Sequence, residues 1–339
     1  MNQIQVVGTH NSYHAGLAPG EMAILRQRNP QAAESLAYRH PSIESQLDAG
    51  VRQIELDVFG DSKGGLFSAP LYHRLAAQDG LADPMPDGWA AAMKKPGFKV
   101  LHVSDIDFRS HCWTLVACLQ GVRAWSKAHP RHLPLYIQLE NKEGRPMPGL
   151  VTTEPWTKAS MDALDAEIRS VFAPGEVVTP DDVRGSFETL EAAVLHQGWP
   201  ALDWARGKVV FLLDQERVTP LYTEGHPSLR GRMMFTNGAP GSADAAFVKV
   251  NNAASSEIPR LVGKGYLVRT MTDGGAKAVR AGETQRRDAA LASGAQILST
   301  DYPFDWKAEG SGYRVTLGGA AVRCNPVNAP KACTVPAPH

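Results

Sequence analysis

The sequence has no excess of either charge: 35 lysines and arginines stand against 35 aspartates and glutamates over 339 residues. A nucleic-acid binder needs a basic face to neutralise phosphates, and an electrostatic membrane anchor needs a polybasic patch, so the balance argues against both. Long hydrophobic runs are missing too. The longest, Val209 to Leu213, is the size of a strand, far short of the roughly 18 apolar residues of a membrane span. No stretch near the start reads as a signal peptide, because the first strand-like run begins within a few residues of Met1. That leaves a cytoplasmic protein, or a mature secreted or periplasmic domain restarted with Met. Internal repeats and low-complexity segments are also lacking. A hydrophobic content of 43% is ordinary for a globular chain, and one this long can bury a large core without metal or disulfide support.

Cysteines are few. Cys112 and Cys118 lie six apart, Cys324 and Cys333 nine apart, and each pair can close a small loop. Neither is a CxxC and no histidine stands at zinc-finger spacing, which argues against a structural zinc site. Two local disulfides in an exported protein are expected, the alternative being four reduced, buried cysteines in a cytosolic enzyme.

Short apolar, β-branched runs recur at Ile4 to Gly8, Val51 to Phe59, Lys99 to Val103, Leu135 to Glu140, Val209 to Asp214, Phe247 to Val250, Tyr266 to Met271 and Gln296 to Asp301. Helical patterns sit between several of them: Ser42 to Ala49, Trp113 to His129, Lys158 to Phe172, and Glu283 to Ser293 with Gly294 as its stop. Eight strands alternating with helices predict an α/β fold, a (β/α)8 TIM barrel spanning 1–305 as a single domain. The long Gly- and Pro-rich loops Gly60 to Pro96 and Glu143 to Pro155 then belong to the C-terminal face, where barrel enzymes keep their sites. Beyond it, residues 306–339 form an extension packed on the barrel. In it Tyr313 to Leu317 and Ala320 to Arg323 read as a hairpin across Gly318-Gly319.

The strand ends carry the informative residues. In Ile54-Glu55-Leu56-Asp57-Val58 the period of two puts both carboxylates on one face, and in Leu135 to Glu140 it puts Glu140 with Gln138. With the aliphatics against the helix layer, these carboxylates point into the barrel mouth. Carboxylates side by side repel, so they need a cation or a shared proton. Together with the amide oxygen of Asn11 they make an all-oxygen set suited to Ca²⁺, or to Mg²⁺ with more water, and unsuited to zinc. His10 and His102, from the ends of the first and third predicted strands, can face each other across the same mouth. Two histidines flanking such a site are what phosphoryl transfer with acid–base assistance requires. His14, His73 and His111 lie in loops or helix starts and read as structural. Trp89, on a rim loop, reads either as a lipid-inserting anchor or as core.

At these residues the sequence resembles the phosphatidylinositol-specific phospholipase C superfamily. The resemblance is carried by Gly8-Thr9-His10-Asn11-Ser12-Tyr13, Gly50 to Asp57, Leu101-His102, Leu139-Glu140-Asn141-Lys142 and Ile297 to Pro303, and covers residues 4 to about 305. Within the superfamily the chain is most similar to the secreted bacterial calcium-dependent enzymes, and the Cys112–Cys118 segment also looks like that group. The resemblance implies His10 as general base on the inositol 2-hydroxyl and His102 as general acid to the diacylglycerol oxygen. It implies Asn11, Glu55, Asp57 and Glu140 as calcium ligands. Lys142, Arg269 and Asp301 become candidate contacts to phosphate or inositol. The expected partner is phosphatidylinositol at a membrane or micelle surface, cleaved by a monomer to diacylglycerol and inositol phosphate, cyclic or hydrolysed further.

A glycerophosphodiester phosphodiesterase shares the barrel and the Glu-x-Asp pair and is the competing enzymatic reading. Its opening motif resembles His-Arg-Gly and its second histidine precedes an aspartate. Here His10 is followed by Asn11 and His102 by Val103. Two non-catalytic readings compete as well: an inositide-binding barrel, and an adhesion domain with structural calcium. Retention of both histidines and all four ligand candidates opposes the inositide-binding barrel. The spread of the ligands over several strands opposes the adhesion domain.

Overall fold

In the computed structural model, which describes residues 1–144, 149–335 and 337, ten strands form one sheet. They are β1 Ile4–Thr9, β2 Gln53–Phe59, β3 Lys99–Val100, β4 Leu135–Asn141, β5 Val209–Leu213, β6 Met234–Thr236, β7 Phe247–Lys249, β8 Leu267–Met271, β9 Ile297–Thr300 and β10 Val322–Cys324. Eight run parallel in the order β6-β5-β4-β2-β1-β9-β8-β7. A parallel bridge from Asn237 to Phe247 links the two ends, giving a nearly closed (β/α)8 barrel. Buried on both faces, these strands carry continuous apolar runs such as Val209–Leu213 where no polar group is needed.

Local signals act as the sequence predicts. The Ser42 hydroxyl accepts from the Ser45 N–H to open the helix Ile43–Asp48, and Thr114 opens Leu115–Ala128 in the same way. Gly294, at φ 84°, ends Gln285–Ser293. Gly8 has a different task. A Cβ there would sit 1.9 Å from the Gln53 side-chain oxygen, so only glycine lets β1 approach β2. Both expected disulfides are formed, Cys112–Cys118 and Cys324–Cys333. Among the described residues no helix is long and apolar enough to cross a membrane.

Two strand expectations are corrected. Lys99 to Val103 is not a barrel strand. Only Lys99–Val100 is extended, and it pairs antiparallel with the far end of β2. Beyond it the chain turns tightly from Val103 to Asp107, with Asp105 at φ 70°. Of the apolar residues read as a strand, Val100 joins the main core, while Leu101 feeds a small separate core with Phe59, Phe67, Trp89, Met93 and Phe108. Trp89 is therefore core, 4% exposed and edge-on to Phe108. The vacant barrel position is filled by β6, whose three residues lack a β-branched run. The predicted hairpin is also corrected. The turn at Gly318-Gly319 closes one antiparallel bridge, Leu317 to Ala320. Val322–Cys324 then lies antiparallel along β1, not along 313–317. The physical reason is that β2 pairs with β1 only at Gly8, leaving the Ile4–Val6 edge open for another strand to satisfy.

The excursion between β2 and β4 is fastened by a buried ion pair. Lys99 Nζ lies 3.1 Å from Asp61 Oδ2, with both side chains at most 1% exposed, and donates to the carbonyls of Lys95 and Gly97. Of the loop Glu143 to Pro155, residues 145–148 lie outside the described residues. Removing one partner of a buried pair strands the other charge. Asp61→Ala is therefore expected to destabilise the protein by about 3–5 kcal/mol, measured by urea denaturation. A loss within about 0.5 kcal/mol, the range of ordinary surface changes, would contradict the role given to the pair.

Candidate active site

The mouth begins where β1 ends. After Thr9 the chain leaves the strand, and Asn11 takes a left-handed conformation, φ 47°, which asparagine tolerates better than most residues. Ser12 staples this turn to β2. Its N–H donates to the Glu55 carbonyl at 3.0 Å, and its hydroxyl accepts from the Glu55 N–H at 2.8 Å. Asn11 is buried and donates its amide N–H to the Tyr38 hydroxyl at 2.8 Å, which leaves its Oδ1 buried without a partner.

Register carries the carboxylates to the same level. Asp57 stands beside Glu140 and Glu55 beside Gln138 in the β2–β4 ladder. One oxygen from each of Glu55, Asp57 and Glu140 falls within 4.8 Å of the others. Burial pushes the Asp57 carboxyl well above its usual range, and Glu140 adds to this. Burial likewise raises Glu55, with Asp214 and Glu140 opposing the lowering by His10 and Arg269. The Lys142 ammonium lies 3.0 Å from Asp57 Oδ2 and 3.4 Å from Glu140 Oε1, the one cation set against the carboxylates of Asp57 and Glu140 among the described ion pairs. A crowded set of hard oxygens beside the unpartnered Asn11 Oδ1 fits Ca²⁺. Asn11, Glu55, Asp57 and Glu140 are the residues that could hold it.

Two imidazoles flank this set, each with a carboxylate on one nitrogen. His10 Nδ1 is 3.0 Å from Asp301 Oδ1, and Nε2 is 3.6 Å from Glu55 Oε1. Burial depresses its imidazolium, but Asp301 and Glu55 outweigh burial and lift it to about 10. Its side chain is 31% exposed, so the ring reaches open space. His102 Nδ1 is 2.9 Å from Asp107 Oδ2. Here burial wins over Asp107, and the imidazolium is held below its ordinary value. A carboxylate only accepts, so each Nδ1 carries a proton and each Nε2 is left for chemistry.

The structure gathers His10, His102, Asn11, Glu55, Asp57, Glu140 and Lys142 around one mouth. Arg269 and Asp301 stand one step behind. Arg269, 3% exposed, donates to Glu55 Oε2 and to the Ser299 hydroxyl, each at 2.9 Å, while Asp301 orients His10. Asp107 escapes a reading of the sequence, and His14, which reads as structural, proves to touch it. Neither lies on a periodic strand. The only signal is the short step from His102 to Asp107, in a segment whose pattern predicts an extended chain.

The profile of the phosphoinositide phospholipase C family, Ca²⁺-dependent, matches residues 1–326. No curated protein is significantly similar in sequence. Among solved structures, a calcium-dependent phosphoinositol-specific phospholipase C from a Pseudomonas species, solved with myo-inositol, is 17% identical. That comparison covers 95% of this chain and 94% of the other, with a TM-score of 0.56. The calcium-dependent phosphatidylinositol-specific enzyme of Streptomyces antibioticus is 18% identical over 88% of this chain and 94% of its own, with a TM-score of 0.53. At such identities the likeness speaks for the fold, and the family match covers nearly the whole chain. The chain belongs to the calcium-dependent phosphoinositide phospholipase C family and is a phosphodiester-cleaving phospholipase.

Proposed function

We propose that the protein is a secreted, monomeric phospholipase C that cleaves phosphatidylinositol at a membrane or micelle surface, releasing diacylglycerol and inositol 1,2-cyclic phosphate. The observation that carries this reading is the pair of imidazoles, each fixed by its own carboxylate, on either side of one all-oxygen set. The two disulfides favour an oxidising compartment.

Asn11, Glu55, Asp57 and Glu140 would hold calcium, which would supply positive charge at the phosphate and lower the pKa of the inositol 2-hydroxyl. His10 Nε2 takes the proton of the inositol 2-hydroxyl, while Asp301 steadies the imidazolium so formed. The freed oxygen attacks phosphorus and the bond to the diacylglycerol oxygen breaks. His102 Nε2 gives that oxygen its proton. The low affinity of His102 for a proton in the free protein is corrected by substrate, because an anionic phosphodiester beside the ring favours the imidazolium. A cation held at Glu55 would offset one of the two carboxylates that raise His10 and so favour the neutral form a base needs. Lys142 is the cation placed to meet a phosphate oxygen. Arg269 acts through Glu55, and Asp301 through His10.

Phosphorus NMR of phosphatidylinositol micelles tests the reading. Cyclic phosphate is expected with calcium and not with EDTA, and His10→Ala should lower the rate by roughly 10²–10⁴-fold, the usual worth of a general base. Full turnover in EDTA would falsify the metal assignment. A second expectation concerns the acid. His102→Ala should slow cleavage of the lipid far more than cleavage of a nitrophenyl inositol phosphate, whose leaving group needs no proton. Equal losses on the two substrates would remove His102 from that role.

A further inference from the structure

The Asp107 carboxylate does not serve His102 alone. The imidazole of His14 meets it from the other side, with Nε2 at 2.9 Å from Oδ1 and 2.8 Å from Oδ2. Both His14 and Asp107 are fully buried, at 0% exposure. A buried carboxylate with one partner is free to swing, and the imidazole it supports swings with it. Two donors at fixed positions remove that freedom.

The tautomer follows from hydrogen-bond accounting. Asp107 faces both imidazoles, His14 Nε2 on Oδ1 and Oδ2 and His102 Nδ1 on Oδ2, and serves as their shared carboxylate. It can therefore only accept. His14 Nδ1 is buried without a partner. A proton there would be a stranded donor, whereas a bare lone pair is the cheaper orphan, so His14 is the neutral tautomer with its proton on Nε2. Its ring lies against Tyr38, with centroids 4.4 Å apart. Its backbone N–H donates to the Asn11 carbonyl at 2.8 Å, and its own carbonyl accepts from the His40 N–H at 2.9 Å. The residue is thus fixed through its backbone on both sides, and its ring by Tyr38 on the face and Asp107 at Nε2.

We infer that His14 is a positioning residue for the general acid: by donating Nε2–H to Asp107 it fixes the carboxylate that orients His102. The inference rests on the acid role proposed above for His102. It gives the turn after β1 a second function. In Thr9-His10-Asn11-Ser12-Tyr13-His14 the same six residues present the base and a metal ligand, and reach across the mouth to brace the acid. The step of four residues from His10 to His14 is then a requirement, since a shorter turn would not carry an imidazole to Asp107.

The experiment compares His14→Leu, His14→Gln and His14→Asn with His102→Ala in the calcium-saturated enzyme, on phosphatidylinositol and on the nitrophenyl ester. Calcium affinity and melting temperature are measured alongside. Glutamine places an amide nitrogen near the position of imidazole Nε2, and asparagine does not reach it. His14→Leu is expected to lose about 10- to 100-fold in kcat on the lipid, the scale on which loss of an outer-shell partner acts at comparable sites. It should change only a few-fold on the nitrophenyl ester, with KM and calcium affinity unchanged. His14→Gln should recover most of the lipid activity, and His14→Asn should not. If the leucine variant does not fold, the glutamine and asparagine pair gives the same comparison. Equal losses on both substrates, or no loss on either, overturn the positioning role while His102→Ala still discriminates between them. If His102→Ala itself does not discriminate, the acid assignment is what has failed.

Discussion

The Glu55 carboxylate is the point on which the site depends. It is 2% exposed and faces the barrel interior, where an unpaired charge would cost several kcal/mol. Arg269 from β8 and Gln138 from β4 both donate to its Oε2. Gln138 also donates to Asp214, just past β5, and Asp214 in turn accepts from Lys249 of β7. Arg269 continues to Ser299 on β9. A belt of alternating donors and acceptors thus crosses the interior immediately below the mouth. Its members are paired by their neighbours and all but the partly exposed Lys249 are buried by the strands, so none can move without stranding another. His10, Asn11, Asp57 and Glu140 stand on this belt.

The belt also separates the behaviour of the two histidines. His10 looks into the acidic half, with Asp301 and Glu55 both close, and its charged form is favoured. His102 sits in the excursion between β2 and β4, against a single carboxylate already occupied by His14, and its neutral form is favoured. Two chemically identical side chains are moved in opposite directions by what surrounds them. In the free protein these preferences run opposite to the base role proposed for His10 and the acid role proposed for His102, so bound cation and anionic substrate would have to reverse them.

Much of this is legible in the sequence because the rules concerned are local. Period-two alternation in β2 and β4 sets the direction of Glu55, Asp57 and Glu140, and the register between the strands keeps them level. Ser42 and Gly294 mark helix ends by their own chemistry. The failures share a cause. β6 is too short and too ordinary to stand out, and only the need to close the barrel makes it a strand. Lys99 to Val103 is apolar enough to be a strand, but only Lys99–Val100 pairs with β2, and Leu101 belongs to a second core that no local pattern reveals. Val322–Cys324 reads as the partner of its neighbour in sequence, whereas the open edge of β1 lies more than 300 residues away. His14 and Asp107 are 93 residues apart in the chain, and nothing in the identity of either announces the other.

The pairing of β1 with the last strands sets the order in which the molecule can be assembled. In β1, Val6 to Thr9 pair with Ile297 to Thr300 of β9, and Ile4 to Val6 with Val322 to Cys324 of β10. During synthesis at about 5–20 residues per second, the first strand therefore waits tens of seconds for its neighbours to leave the ribosome. Until then the barrel is an open sheet with an unsatisfied edge, and the polar belt inside it is wet. Folding to the native state is a closing event that belongs to the end of translation, and the topology makes that step both slow and sensitive to premature association.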